Sequence, residues 1–476
     1  MKSKEKAMKL NKITNAQSEI EIKGITADSR EVKSGYLFGS LNSDEYIKDA
    51  VSKGASAVIV AEEYNEKLPN EVVVIKSDNP ALTYAQAVAK YYGKVPTHMS
   101  AVTGTNGKTS VVDFVRQVLT KMGYKAASIG TLGLIKSGED ALPSPNTTPN
   151  NVALHKQLKS LAEEDFSYVA MEASSHGLHQ YRMGGLTFKV AAFTNLTRDH
   201  LDYHKTFEEY LDAKLILFRQ LLSPDGTAVL NADVDVYGKI ADVCRQRGQK
   251  VISYGTRGSD IKLLCATPLD RGQRLEIEYF GQPKTIEIAQ AGEFQAMNIL
   301  CALGMLAAIT GLPDDVIHYM GDIKGAKGRL EHVADTSTGA AVYIDYAHTP
   351  DALENALKAL RPHVKGKLHV LFGCGGNRDA GKRPIMGQIA HQYADVVYVT
   401  DDNPRFEEAD DIRNEIIPGC PGAYNIADRA KAIKMAMQAL MPGDILVLAG
   451  KGHETGQYVK GEIIPFSDHE EVAKNL

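Results

Sequence analysis

The chain has 476 residues, too many for one ordinary core and enough for about three domains. Its net charge of −5 is spread over interspersed acidic and basic residues, which excludes the basic footprint of a nucleic-acid binder and the polybasic patch of a membrane-surface protein. The five cysteines, Cys244, Cys265, Cys301, Cys374 and Cys420, form no Cys-x-x-Cys pair and no metal-ligand spacing, so they read as reduced residues of a cytosolic protein acting on small molecules.

Lys2, Lys4 and Lys6 are not followed by an apolar run. The longest apolar stretch, residues 299–312, is short for a bilayer and interrupted by Gly304 and Thr310, so neither a signal peptide nor a membrane segment is expected. The first region alternates a strand at 35–38, a helix at 47–53 and strands at 57–60 and 72–75, a small α/β unit ending near Pro96. An apolar strand at 99–103 then enters the turn Gly104-Thr-Asn-Gly-Lys-Thr-Ser110, and Val111, Val115, Val118, Leu119 and Met122 follow at helical spacing. Strand, Gly-rich turn and helix N-terminus make a phosphate loop: backbone N–H groups wrap phosphate oxygens, Lys108 reaches the β/γ-phosphates and Thr109 ligates Mg²⁺. The loop departs from the general pattern, because the position five residues before Gly107 is Val102 rather than glycine.

Strands at 168–171 and 190–193 and a helix at 298–309 continue this region to a Gly-rich linker at 321–328. Glu172 ends the first strand and Asp199-His200 follows the second, where a sheet presents them beside the phosphate loop to complete a Mg²⁺ shell. Each, taken alone, reads more readily as a surface or strand-end polar residue; the coincidence of two strand ends with a phosphate loop reverses that reading. Lys214 by itself reads as a solvated helix lysine, and His179 and His204 as bystanders.

The third region has strands at 369–372, 396–400 and 445–448 separated by helical stretches such as 428–440, the alternation of a parallel, doubly wound sheet. Each strand is followed by a polar cluster: Gly373-Cys-Gly-Gly-Asn-Arg-Asp379, Asp402-Asn-Pro-Arg405 and Gly450-Lys-Gly-His-Glu454. Ligands bind beyond the carboxyl ends of such strands, so the three clusters are expected to share one pocket. Asn377, Arg378, Lys382, Arg383 and Arg405 suit carboxylate capture or structural salt bridges, and both readings stand open. Asp345, in a polar turn with His348, suits a ribose hydroxyl. No nucleophile elbow and no Ser-His-Asp order is present, which argues against that class of hydrolase.

Several of these stations resemble the Mur ligases, the ATP-dependent amino-acid ligases of peptidoglycan assembly. The resemblance rests on Thr103-Gly-Thr-Asn-Gly-Lys-Thr-Ser110, Asn146-Thr-Thr-Pro149, Met171-Glu-Ala-Ser-Ser-His-Gly177, Asn195-Leu-Thr-Arg-Asp-His-Leu-Asp202, Ala213-Lys214, Asp345-Tyr-Ala-His-Thr-Pro350, Cys374-Gly-Gly-Asn-Arg-Asp-Ala-Gly-Lys-Arg-Pro384 and Gly450-Lys-Gly-His-Glu454. It implies an α/β chain of three domains: a small UDP-sugar-binding domain over 1–96, a central P-loop ATPase-type domain over 97–325, and a Rossmann-like amino-acid-binding domain over 326–476. Asp402-Asn-Pro-Arg405 is similar to the signature of the family branch that adds meso-diaminopimelate to UDP-N-acetylmuramoyl-L-alanyl-D-glutamate through an acyl phosphate, Arg405 meeting the carboxylate that lysine lacks.

The same resemblance implies that Lys108, Glu172, His200 and Lys214 are catalytic, with Mg²⁺ held by Thr109, Glu172, His200 and a CO₂-derived carbamate on Lys214. It places Gly104, Thr105, Asn106, Gly107, Lys108, Thr109, Ser110, Asn298, Arg329 and Asp345 on ATP. Ser29, Thr147, Thr148, Ser174, Gln180 and Arg182 fall on the UDP-linked dipeptide, and Arg378, Asp402, Asn403, Pro404, Arg405, Gly450 and Glu454 on diaminopimelate. The partners implied are these small molecules alone, with neither nucleic acid nor membrane, for a cytoplasmic monomer. Two departures from the family pattern are a shortened loop at residues 39–44 and Gln295 where asparagine is common. A P-loop kinase remains the rival reading from another class, and it leaves the three C-terminal clusters without a use.

Overall fold

The computed structural model describes residues 7–41, 43–139, 141–197, 199–200, 203–269, 272–311 and 313–476. Lys2, Lys4 and Lys6, and Arg198, Leu201 and Asp202 of the 195–202 motif, lie outside the described residues. Packing gathers the chain into two compact units, one of Met1–Lys108, Leu119–Leu230 and Val234–Ile252, the other of Thr109–Val118, Asn231–Asp233 and Ser253–Leu476.

The first unit carries two sheets. Strands β1 (Gly24–Thr26), β2 (Tyr36–Gly39), β3 (Ala55–Ala61) and β4 (Val73–Ser77) form a parallel sheet in sequence order. Helix α1 (Ile47–Ser52) lies between β2 and β3 in sequence, and α2 (Pro80–Tyr92) starts where Asn79 caps the amide of Leu82 and Pro80 presets the first turn.

The second sheet of this unit is built from β5 (His98–Thr103), which leads through the phosphate loop to α3 (Lys108–Lys121), whose residues 109–118 fall in the second unit, then β6 (Ala126–Gly130), β7 (Gly133–Lys136), α4 (Asn151–Glu163), β8 (Tyr168–Glu172), α5 (Ser175–His179), β9 (Phe188–Phe193), α6 (Phe207–Ile216) and β10 (Leu222–Asn231). The strand order is β10-β9-β5-β8-β6-β7, parallel except at the edge strand β7. Interior strands such as β6 and β9 are almost wholly buried, as a parallel sheet covered on both faces requires. Register decides where the chemistry falls: Glu172 pairs with Val102 and Phe193 with Thr103, so β5, β8 and β9 end at one edge on either side of a switch in strand order.

In the second unit, strands β11 (Ile261–Pro268), β12 (Gln273–Tyr279) and β13 (Gln282–Ile288) form an antiparallel meander. Helix α7 (Glu293–Thr310) follows; it is long and apolar enough to cross a membrane, but two-thirds of it is buried, the mark of a core helix. The last sheet comprises β14 (Glu331–Asp335), β15 (Ala341–Asp345), β16 (Leu368–Phe372), β17 (Val396–Val399), β18 (Tyr424–Asn425) and β19 (Ile445–Ala449) in the order β14-β15-β19-β16-β17-β18, with only β14 antiparallel. Helices α8 (Pro350–Leu360), α9 (Lys382–Tyr393), α10 (Ala409–Ile416) and α11 (Arg429–Gln438) connect these strands, and a hairpin, β20 (Gly456–Val459) with β21 (Glu462–Pro465), precedes the final helix α12 (Asp468–Lys474).

Candidate active site

In the first unit the phosphate loop is held from beneath. Thr105 N and Asn106 N donate to Asn195 O and Asn195 Oδ1 at 2.9 and 2.8 Å, and the Thr194 hydroxyl donates to Asn106 O at 2.6 Å. Lys108 Nζ donates to the carbonyls of Gly104 and Thr105 at 2.9 and 2.7 Å, so its ammonium is curled over the cradle. Gly104 sits at φ +149°, and a Cβ there would lie 1.9 Å from Thr194 Oγ1. Gly104→Ala is therefore expected to displace the loop at a cost of about 1–3 kcal/mol and to weaken ATP binding at least tenfold, measured by nucleotide titration.

Lys214 is not the solvated lysine that its helix position alone suggests. It is 1% exposed, donates to Gly104 O at 2.8 Å, and lies 4.3 Å from the centre of the Tyr210 ring. Burial, reinforced by the Lys108 ammonium, holds its amine well below the ordinary lysine value. Tyr210 itself lies 3.2 Å from Thr105 Oγ1, tying α6 to the loop.

Glu172 is buried and accepts from Thr131 N at 2.7 Å and the Thr131 hydroxyl at 3.2 Å. Around it, Thr148 Oγ1 donates to Glu172 O at 2.9 Å and lies 3.0 Å from Ser174 Oγ, while Thr147 Oγ1 is 3.1 Å from Thr131 Oγ1. Arg182 donates to Thr148 O at 2.7 Å and forks onto Gln180 Oε1 at 3.0 and 2.8 Å. Thr147, Thr148, Ser174, Gln180 and Arg182 thus form one network with Glu172. His200 takes a left-handed backbone at φ +54°, sits 3.4 Å from Asp199 and packs edge-on to His176. His179 and His204 join the same ring cluster through Tyr203. Ser29 lies apart, in a 3-10 turn between β1 and β2 capped by Asp28, where its carbonyl accepts from Lys53 at 3.2 Å.

In the second unit, Arg329 donates to Thr109 Oγ1 at 3.4 Å and stacks 4.4 Å from the Tyr346 ring. Its carbonyl accepts from Gln295, which in turn accepts from Asn298 at 3.0 Å. Asp345 accepts from the amides of Leu330 and Ala347 at 2.5 and 2.8 Å, and burial pushes its carboxyl up to about 6 against the pull of Arg329. Thr109, Asn298, Arg329 and Asp345 are therefore connected, and Gln295 occupies the departure position as a working link between two of them. Ser110 is buried in the first turn of α3.

The carboxyl ends of β15, β19, β16 and β17 face one edge, since Asp345 pairs with Ala449, Leu371 with Leu448 and Phe372 with Val399. The three polar clusters meet there. Arg405 holds φ +54°, its Nη1 donates to Gly376 O at 2.8 Å, and its backbone N donates to Tyr458 O at 2.9 Å. Burial and the nearby Arg378 cation lower its proton affinity, while Asp402 and Glu454 oppose them. Asn403 Nδ2 donates to Glu454 Oε2 at 3.0 Å. Gly450, at φ +108°, would bring a Cβ within 2.5 Å of Asp402 Oδ2, so only glycine lets that strand end close on the Asp402-Asn403-Pro404 turn.

The two readings of the basic cluster separate here. Arg383 is buried between Glu407 and Glu415 at 2.8 and 2.9 Å, and Lys382 donates to His348 O at 2.7 Å, so both are structural. Arg378 is exposed, and Arg405 is half-buried beside it. Lys451, to which the sequence pointed no role, is fully buried against Asn403 and Glu454. Beneath it Arg429 and Asp468, both fully buried, pair bidentately at 2.7 Å. Among the described residues Arg429 Nη1 finds no acceptor, so the pair is under-satisfied. Arg429→Met alone is expected to cost about 3–5 kcal/mol by stranding Asp468, and Arg429→Met with Asp468→Leu to recover most of it, read from urea unfolding.

Among the described residues, no cluster of three or more His, Cys, Asp or Glu side chains is arranged to hold a metal by itself. A cation here would have to draw on phosphate oxygens and hydroxyls as well.

Two family models match this chain: the Mur ligase middle domain over residues 102–306 and the Mur ligase glutamate ligase domain over residues 328–452. The chain is 46% identical to UDP-N-acetylmuramoyl-L-alanyl-D-glutamate–2,6-diaminopimelate ligase of Mesorhizobium japonicum over 467 residues, 97% of this chain and 96% of that one. To the protein of the same name from Agrobacterium fabrum it is 45% identical over 463 residues, 96% and 94% of the two chains. A solved structure of a ligase with that name is 30% identical with a TM-score of 0.71 and covers 99% of both chains. Identity of this extent over nearly the full length, with both family models matched, means that the chain belongs to the Mur ligase family.

Proposed function

We propose that the chain is an ATP-dependent amide ligase that joins meso-diaminopimelate to UDP-N-acetylmuramoyl-L-alanyl-D-glutamate, the reaction for which its relatives are named, in cytoplasmic peptidoglycan precursor synthesis. The observation that carries this reading is the pocket in which Arg378, after β16, and Arg405, after β17, supply positive charge while Glu454, after β19, accepts from Asn403. A zwitterionic amino-acid terminus needs both poles, and a bare ammonium needs only one.

The reaction is a phosphoryl transfer followed by acyl transfer. The γ-phosphoryl group of ATP passes to the γ-carboxylate of D-glutamate, giving ADP and an acyl phosphate. The neutral amine of diaminopimelate attacks the acyl carbon, a tetrahedral intermediate forms, and phosphate leaves with the carbonyl restored. Lys108 would swing from its two carbonyls to the transferring phosphoryl group, and the amides of residues 104–110 would bind the other phosphates. Asn298, Arg329 and Asp345 would hold the nucleoside end.

Thr109, Glu172, His200 and Lys214 are the residues that would hold Mg²⁺, Lys214 after carbamylation; the ion supplies charge neutralisation at the phosphoryl oxygens. Carbamylation requires a neutral amine, and burial, reinforced by the Lys108 ammonium, shifts Lys214 toward that form. Thr147, Thr148, Ser174, Gln180 and Arg182 would take the peptide end of the UDP-linked substrate, and Ser29 the uridine. Arg378, Asp402, Asn403, Pro404, Arg405, Gly450 and Glu454 would take diaminopimelate. The corresponding domains are 1–96, 97–325 and 326–476 in a protein acting as a monomer on small molecules.

The test mixes the protein with ATP, Mg²⁺, the UDP-linked dipeptide and either meso-diaminopimelate or L-lysine, and detects product by mass. The diaminopimelate adduct with stoichiometric ADP is expected. Phosphate release without amide, or equal use of lysine, overturns the proposal.

A further inference from the structure

Lys451 is the buried charge that the pocket chemistry leaves unused. It follows an all-apolar strand, β19, and its side chain is completely enclosed. Its Nζ donates to Asn403 Oδ1 at 3.2 Å and to Glu454 Oε2 at 3.1 Å, and lies 3.9 Å from Asp402 Oδ1. Asn403 Oδ1 also accepts from Tyr458 N at 2.9 Å, while Asn403 Nδ2 donates to the same Glu454 oxygen. Every polar atom of the Asn403 amide is thereby assigned, and its orientation follows from the ammonium behind it. Burying an ammonium is costly, so three anionic or carbonyl partners around it mark a position built for charge.

The charges around this point set the problem that Lys451 solves. Glu454 is 30% exposed and electrostatically coupled to Arg405, whose guanidinium is also subject to Asp402 and to Arg378. Arg429 lies below, already matched by Asp468. Left to itself, Glu454 has an alternative partner in Arg405, and a carboxylate lying on Arg405 cancels both poles of the pocket at once.

We propose that Lys451 is a positioning residue for substrate selection: it pins Glu454 against the Asn403 amide, keeps Glu454 off Arg405, and so maintains separate sites for the distal ammonium and the distal carboxylate of the incoming amino acid. Lys451 does not touch the substrate. This inference rests on the diaminopimelate-ligase reading.

The experiment compares meso-diaminopimelate with L-2-aminopimelate, which keeps the reacting amine and the distal carboxylate and lacks only the distal ammonium. The native enzyme is expected to prefer diaminopimelate in kcat/KM at least tenfold. In Lys451→Met that preference is expected to fall below threefold, through a raised KM for diaminopimelate, with the KM for ATP unchanged. If Lys451→Met does not fold, as judged by its melting transition, Lys451→Gln, which keeps a donor to Asn403 without the charge, carries the same comparison. A variant that retains the native preference while losing kcat equally on both amino acids overturns the proposal, because a merely structural lysine predicts that pattern. Failure of the native enzyme to use diaminopimelate at all would instead overturn the ligase reading, so the two failures are distinct.

Discussion

Arg405→Ala is expected to lower kcat/KM for meso-diaminopimelate by on the order of a hundredfold, with most of the loss in KM, and to leave L-lysine turnover no worse than in the native enzyme. A carboxylate that enters the pocket without Arg405 is desolvated and meets only Arg378; truncating one partner of such a buried pair costs about 2–5 kcal/mol. The guanidinium is ready for the task, since its Nη1 bond to Gly376 O fixes the plane of the fork. Its backbone supplies a control. At φ +54° a non-glycine residue is strained by about 1 kcal/mol, so Arg405→Gly should melt no lower than the native protein while losing diaminopimelate equally. Steady-state kinetics on both amino acids, with thermal melts of both variants, checks this. A native KM for diaminopimelate in either variant removes Arg405 from the pocket.

Much of this site was legible in the sequence because parallel sheets translate sequence position into spatial position. A polar cluster directly after an apolar run must lie at the carboxyl edge, and parallel register then brings Glu172 and Thr194 beside the phosphate loop, and Gly373, Arg405 and Gly450 beside one another. Burial was not legible. Lys214 and Lys451 read as ordinary lysines because nothing in their neighbours' hydropathy shows that the Gly104 carbonyl, or Asn403 and Glu454, will close around them. Arg383 misleads in the opposite direction: it shares a basic stretch with Arg378, but its partners Glu407 and Glu415 are distant in sequence. The antiparallel meander over residues 261–288 escaped because it carries no chemistry, although Gln273–Tyr279 alternates buried and exposed residues along its whole length. The hairpin over residues 456–465 alternates too weakly to be read, since its second strand is exposed on both faces.

Lys214→Met is expected to separate stability from activity in opposite directions. On the proposed mechanism activity should fall on the order of a thousandfold or more, because methionine cannot take up CO₂ and would supply no anion for the proposed metal. Stability should hold or rise. Methionine fills nearly the same volume without a charge to desolvate, and the Gly104 carbonyl it abandons still accepts from Lys108, so the lost bond costs only about 1 kcal/mol. The pH dependence gives the sign. The folded amine has a proton affinity below that of the unfolded chain, so between the two values the unfolded state binds the extra proton. The native protein must therefore gain stability from this group as pH rises toward the ordinary lysine value and lose it as pH falls, a slope that Lys214→Met abolishes. Urea unfolding from pH 7 to 10 in CO₂-free buffer measures it for both proteins. A variant destabilised by several kcal/mol at pH 7, or one retaining a tenth of native kcat, is incompatible with the proposal of a buried amine of lowered proton affinity held for carbamylation.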